Sequence, residues 1–139
     1  MRSCDRLAHR FAEAAASFVG TPFRLHGRDP ATGLDCVGLI YVSLLAIGRP
    51  ANAPEGYRLR NHDVSRWFGY ARDSGFEEVS GEAAHGDLLM TRPSPGQSHL
   101  QIVDGYSLTH AHAGLGRVVR QPVATMPHPV AHWRLAVSQ

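Results

Sequence analysis

The stretch Leu34-Asp35-Cys36-Val37-Gly38-Leu39-Ile40-Tyr41-Val42-Ser43-Leu44-Leu45 decides how this chain is read. It sets a thiol behind an acidic residue and ahead of an apolar run. Asp35 suits a helix N-cap, because its carboxylate accepts from the unpaired N–H groups of a first turn. The helix this predicts runs from about Cys36 to Ile47 and stops at Gly48-Arg49-Pro50. Its apolar residues lie nearly all round, which predicts burial at the centre of the fold. Cys36 falls in the first turn, where the helix macrodipole favours negative charge. Thiols so placed drop from a pKa near 8.5 to between ~3.5 and 7.5. The competing reading is a buried, inert cysteine.

Outward from this helix, Leu7, Phe11, Ala14 and Phe18 recur at helical spacing and predict an amphipathic helix over 4–19, ended by Gly20-Thr21-Pro22. Residues 22–34 read as loop, as do the proline-containing residues 49–62. A third helix is predicted near 63–73, ending at Gly75. Short strands follow at 76–79, 87–91, 99–103, 106–112, 117–123 and 130–137. Helices first and strands after predict an α+β domain, with an antiparallel sheet packed on the buried helix. Length of 139 residues, without internal repeats, fits one domain over 1–139.

Composition narrows the function classes. Hydrophobic content of 43% and charged content of 19% are those of an ordinary globular protein. All 14 cationic side chains are arginine, scattered without a stripe, and a net charge of +2 does not argue for nucleic acid. It permits weak attraction to anionic polymers. The longest apolar run, around Leu39–Ile47, is too short to span a bilayer. The opening Met-Arg-Ser-Cys-Asp-Arg lacks a signal-peptide core, so synthesis as a soluble cytoplasmic protein is expected. The cysteines are Cys4 and Cys36; a bridge between them is formally possible, but they cannot make a four-thiolate zinc site.

The histidines bear on Cys36. In His99-Leu-Gln-Ile-Val-Asp104-Gly105-Tyr-Ser-Leu-Thr-His110, Asp-Gly between two strand-like runs signals a hairpin. Closing the turn at Asp104–Gly105 pairs Val103 with Tyr106 and sets His99 directly opposite His110, on one face. One imidazole could take the thiol proton while the other fixes its tautomer. By alternation His112 shares that face and rivals His110 for the second role. A zinc site of His99, His110 and His112 is the metal alternative, and histidines exposed on a sheet are the bland one. His9, His62, His85, His128 and His132 read as surface or loop residues.

From Gly20 to Ala113 the chain resembles the NlpC/P60 family of papain-like cysteine peptidases, which cut peptidoglycan peptides. The motifs are Gly20-Thr-Pro-Phe-Arg24, Leu34-Asp-Cys-Val-Gly-Leu39, Gly86-Asp-Leu-Leu89, Ser98-His99 and His110-Ala111, in that order. The opening and the Asp-Cys-Val-Gly-Leu variant are most similar to the short phage and gene-transfer-agent branch. The resemblance implies a papain-like α+β fold, with Cys36 as nucleophile, His99 as general base and His110 as orienting residue. It implies a thioester intermediate, an oxyanion held partly by the Cys36 N–H, and no metal or organic cofactor. The implied substrates are amide bonds in peptidoglycan stem peptides, often between D-glutamate and a diamino acid.

Two positions depart from the pattern. Phe23 stands where many relatives carry a tyrosine that helps at the oxyanion or substrate side, and Val37 stands where many have serine. Asp35 is then the remaining group to grip a stem peptide's amine. Arg24, His26 and Arg28 are candidates to meet substrate carboxylates, and His112 borders the same side. The phage-like branch further implies action at the cell wall after particle-borne delivery or release, and partners among phage-tail or gene-transfer proteins. The alternatives on the same scaffold are a non-catalytic particle component and a thiol acyltransferase.

Overall fold

A computed structural model of the chain describes residues 3–49, 51, 65–94, 97–123 and 128–136. Helix α1, Ser3–Ser17, comes first, and a short two-stranded pair follows, β1 (Arg28–Asp29) and β2 (Gly33–Leu34). Then come α2 (Cys36–Ala46) and α3 (Ser65–Asp73). Six further strands follow among the described residues: β3 (Phe76–Glu78), β4 (Leu88–Ser94), β5 (Gln97–Asp104), β6 (Ser107–His112), β7 (Arg117–Pro122) and β8 (Ala131–Leu135). They form one sheet in the order β3-β8-β4-β5-β6-β7, each neighbouring pair antiparallel. The α+β arrangement expected from the sequence is the one observed. Most of the predicted loop over 49–62 lies outside the described residues, and the predicted loop over 22–34 contains the β1–β2 pair.

Helix α2 is the centre of the molecule. Leu39, Val42 and Leu44 are buried in one core with Phe11, Ala12 and Ala15 of α1 and Met90, Leu100, Ile102 and Ala111 of the sheet. A helix apolar nearly all round is buried over most of its length, and α2 packs against both α1 and the strands. Its buried hydroxyl, Ser43 Oγ, donates back to the Leu39 carbonyl at 2.6 Å and needs no outside partner. α3 closes the far end of the core, where Phe68 meets Trp133 edge-on with ring centroids 5.1 Å apart.

Two glycines explain parts of the motifs. A Cβ on Gly38, in the first turn of α2, would strike the Gly27 carbonyl of the preceding loop. Gly86 has φ +87°, and a Cβ there would strike the Ala8 backbone of α1. Each glycine lets a loop touch a helix at backbone distance. Next to Gly86, Asp87 is fully buried and tethers β8 to the start of β4. It accepts from Arg134 Nε at 2.8 Å, Arg134 Nη2 at 2.9 Å, His132 Nε2 at 2.6 Å and the Ala84 amide at 2.8 Å. Burial pushes its carboxyl up, but the bonds from Arg134, Ala84 and His132 outweigh that and hold it below the usual carboxylate range. His132, expected at the surface, instead lies partly buried against Asp87, because it stands on β8 beside it.

The hairpin register differs from the sequence expectation by two residues. β5 and β6 pair Asp104 with Ser107, Val103 with Leu108, and Ile102 with Thr109. The central turn residues are thus Gly105 and Tyr106, with Gly105 at φ +61° taking the first position, as a type II′ turn requires. A two-residue slip keeps every side chain on its original face. The His99–His110 juxtaposition survives, now as a diagonal pair. Pairing between β5 and β6 ends at Ile102–Thr109, whereas β4 continues along β5 to His99 and β7 continues along β6 to His112. The sheet parts there, and the N-terminus of α2 meets the parting.

Candidate active site

Cys36 opens α2 as a free thiol, 3% exposed. Its cap is the one read from the sequence: Asp35, in extended conformation, accepts from the Gly38 amide at 2.8 Å. The same carboxylate accepts from the His26 amide at 2.8 Å and lies 3.3 Å from Arg28 Nη1, which also donates to the Gly27 carbonyl at 3.1 Å. His26 holds a left-handed backbone, φ 61°, to present that amide. Asp35 is 0% exposed. Its oxygens clamp the helix start to the 22–34 loop. Arg28 is likewise occupied as its counter-ion rather than set aside for a substrate carboxylate.

Around the nucleophile, Val37 is buried in the core and Phe23 packs half-buried against it. The Phe23 amide donates to the Gly116 carbonyl at 2.8 Å, and Phe23 bridges Leu34, so its loop is stitched to both β2 and the β6–β7 turn. Arg24 is exposed at this loop.

The sulfur lies where β5 and β6 part. Backbone amides of Leu100, Val37 and Cys36 itself are directed at it. They favour the thiolate but do not win. Burial, and then the negative charge of Asp35, push the Cys36 thiol up to about 12. The low thiol pKa expected from the helix start is thereby corrected: desolvation of a buried sulfur outweighs the dipole. His99 is pushed the other way, down to about 3, first by burial and then by His110 and His112. The resting pair is a neutral thiol and a neutral imidazole. Among the described residues no hydrogen bond joins them; they are neighbours through Leu100, the residue after His99.

Behind His99 the polar groups form a chain. His99 Nε2 lies 2.6 Å from His110 Nδ1, and the rings meet edge-on with centroids 4.7 Å apart. His110 is 1% exposed, and its Nε2 lies 2.8 Å from Gln121 Oε1 on β7. Burial lowers the His110 pKa; the Gln121 bond opposes that and His112 adds to it. His112 has a different occupation. Its Nδ1 accepts from the Leu115 amide at 3.0 Å and so caps the β6–β7 turn, with its ring 5.6 Å from that of His110. Both nitrogens of His110 are engaged by protein partners, which leaves no lone pair for the three-histidine zinc site. Among the described residues no group of three or more His, Cys, Asp or Glu could hold a metal ion.

Gln121 is the member that sequence reasoning missed. It is one polar residue near the end of a strand, and nothing local ties it to His110. The signal becomes visible only once β7 is known to pair with β6.

No protein-family model and no curated protein matches the chain. Solved structures do. The NlpC/P60 domain of the peptidoglycan hydrolase SagA aligns at 24% identity and TM-score 0.60, over 94% of this chain and 98% of that one. The P60 domain of antigen MAP1204 from M. avium subspecies paratuberculosis aligns at 20% identity and TM-score 0.64, over 99% of this chain and 100% of that one. NlpC1 from Trichomonas vaginalis aligns at 18% identity and TM-score 0.70, over 100% of this chain and 46% of that one, so the chain spans less than half of that protein. These likenesses extend over nearly the whole chain, and the chain has the NlpC/P60 fold.

Proposed function

We propose that the protein is a cysteine peptidase or amidase that hydrolyses amide bonds in peptidoglycan stem peptides through Cys36, His99 and His110. The observation that carries this reading is the two-imidazole chain, His99 Nε2 to His110 Nδ1 at 2.6 Å, which starts one residue before Leu100, whose amide is directed at the sulfur of a helix-capped cysteine. The NlpC/P60 fold supports the substrate class, since the SagA domain that shares it comes from a peptidoglycan hydrolase. On this reading the bond cut is the one between D-glutamate and a diamino acid, and the protein acts at the cell wall after phage-like delivery or release.

Because thiol and imidazole rest neutral, the proton moves as the bond forms. Substrate displaces solvent at the parted strands, and His99 takes the Cys36 proton while the sulfur attacks the amide carbon. The carbonyl oxygen becomes an oxyanion beside the Cys36 amide, a donor fixed by the helix start. The C–N bond breaks, and His99 returns its proton to the leaving amine, leaving a thioester. Water, deprotonated by His99, attacks the thioester carbon, and the sulfur leaves as the thiol while the acid product departs. His110 holds the His99 ring through both halves.

The test is mass spectrometry of defined muropeptides incubated with wild type and with Cys36→Ala. New amine termini that vanish in Cys36→Ala are expected. No cleavage by wild type, with stable binding to a tail protein, would replace this reading with a particle component. A lipid-derived acyl group on Cys36 would replace it with an acyltransferase.

A further inference from the structure

We propose that Gln121 is a fourth member of the site, a positioning residue that sets the direction of every proton in the imidazole chain. A glutamine amide presents an acceptor at its oxygen and donors at its nitrogen. Gln121 Oε1 faces His110 Nε2 at 2.8 Å, so that nitrogen must carry the proton. A neutral imidazole has one N–H and one lone pair, so His110 Nδ1 is an acceptor. The atom 2.6 Å from it, His99 Nε2, must then donate. The remaining nitrogen, His99 Nδ1, is left with the lone pair that a base needs. The opposite amide orientation would reverse each step: His110 Nε2 would accept, His110 Nδ1 would donate, and His99 Nδ1 would carry a proton and could accept none from the thiol.

The fold makes this control effective. His110 is buried at 1% exposure, so water does not compete for its Nε2–H. Gln121 pairs with Leu108 on the β6–β7 ladder, two residue pairs from His110–Val119, so its side chain shares the face of His110. A carboxylate in the same place would add a charge and favour an imidazolium. The amide orients the ring while leaving it neutral, in keeping with the neutral pair at Cys36 and His99.

The catalytic consequence rests on the proposed peptidase reading, but the proton positions do not. Nitrogen-15 NMR of the histidine rings in the substrate-free protein at about pH 8, above the ordinary imidazole range, reads them directly. Wild type is expected to show His99 and His110 both protonated at Nε2 and unprotonated at Nδ1. Gln121→Leu is expected to move proton density toward Nδ1 in both rings, and Gln121→Glu, which keeps an acceptor oxygen, to hold the proton on His110 Nε2 as in wild type. Muropeptide turnover should fall ~10–100-fold in Gln121→Leu, in kcat rather than KM, and recover in part in Gln121→Glu. Wild-type rings protonated at Nδ1, or rings unchanged in Gln121→Leu, would overturn the inference. So would turnover in Gln121→Leu equal to wild type. A wild type that shows the expected ring pattern but cleaves no muropeptide upholds the tautomer control and refutes the peptidase reading alone. Should Gln121→Leu not fold, the wild-type and Gln121→Glu spectra still decide the matter.

Discussion

At Asp87 the protein buries a formal charge and pairs it; at His99 and His110 it buries two groups that could carry charge and keeps them neutral. Both clusters are built on the same sheet. Asp87 has bonds from Arg134, His132 and the Ala84 amide, and those bonds hold its proton off. The imidazole chain ends instead on an uncharged amide, Gln121, so burial prevails and holds both rings in the neutral form. A paired carboxylate suits a tether, because separating it from its partners is costly. A neutral imidazole beside a neutral thiol suits a reaction, because neither proton is committed before substrate arrives. At Asp87 charged partners outweigh burial, whereas the amide at the end of the imidazole chain does not.

The comparison can be broken by removing one member of each cluster. The larger effect on folding belongs to Asp87→Ala, expected to cost ~3 kcal/mol. That is the low end for a buried pair, since the Arg134 side chain is 39% exposed and can turn to water. Urea denaturation measures it, and the folded fraction should keep its activity. A variant with unchanged midpoint would show that Asp87 is no tether.

His110→Ala is expected to reverse that pattern, with turnover down ~10²-fold and a smaller change in the urea midpoint. His112→Ala should lower turnover only a few-fold, as its Nδ1 serves the Leu115 amide. If His112→Ala slows turnover more than His110→Ala, the orienting role belongs to His112.

A last effect is one of pH, and it separates the clusters without removing either. His99 has its pKa lowered to about 3 by burial, so between the ordinary imidazole range and that value the unfolded chain binds a proton that the native site refuses. Stability from this site is complete above pH ~6.5 and declines as pH falls through that window. The lowered Asp87 pKa has the same sign but a lower window, with loss beginning only below ~3.9. Urea midpoints from pH 7 to 4 should therefore fall in wild type and flatten in His99→Gln. An equal slope in both proteins would sink the account of a buried neutral imidazole.

Legibility in the sequence followed the range of the forces involved. Asp35, Cys36 and the start of α2 were read to the residue, because capping and an apolar run act within one or two turns. The strands were placed to within a few residues from alternation and turn signals. The hairpin register failed by two because Asp104-Gly105 and Gly105-Tyr106 are both good turn centres. Which of them closes depends on the strands they join. The face was still correct, since side chains alternate with a period of two. His132 was misplaced because its partner, Asp87, lies 45 residues earlier in the chain.

By itself the sequence determined which cysteine begins a helix, which strands carry histidines, and that these histidines share a face. All three follow from hydrogen bonding and periodicity between near neighbours. Only the tertiary structure decided that the thiol and imidazole rest uncharged, that Asp35 and Arg28 are spent on each other, and that Gln121 ends the proton chain. Desolvation depends on every segment that covers a group, and a hydrogen bond between strands depends on how the sheet is ordered. Neither is written in any local stretch of residues.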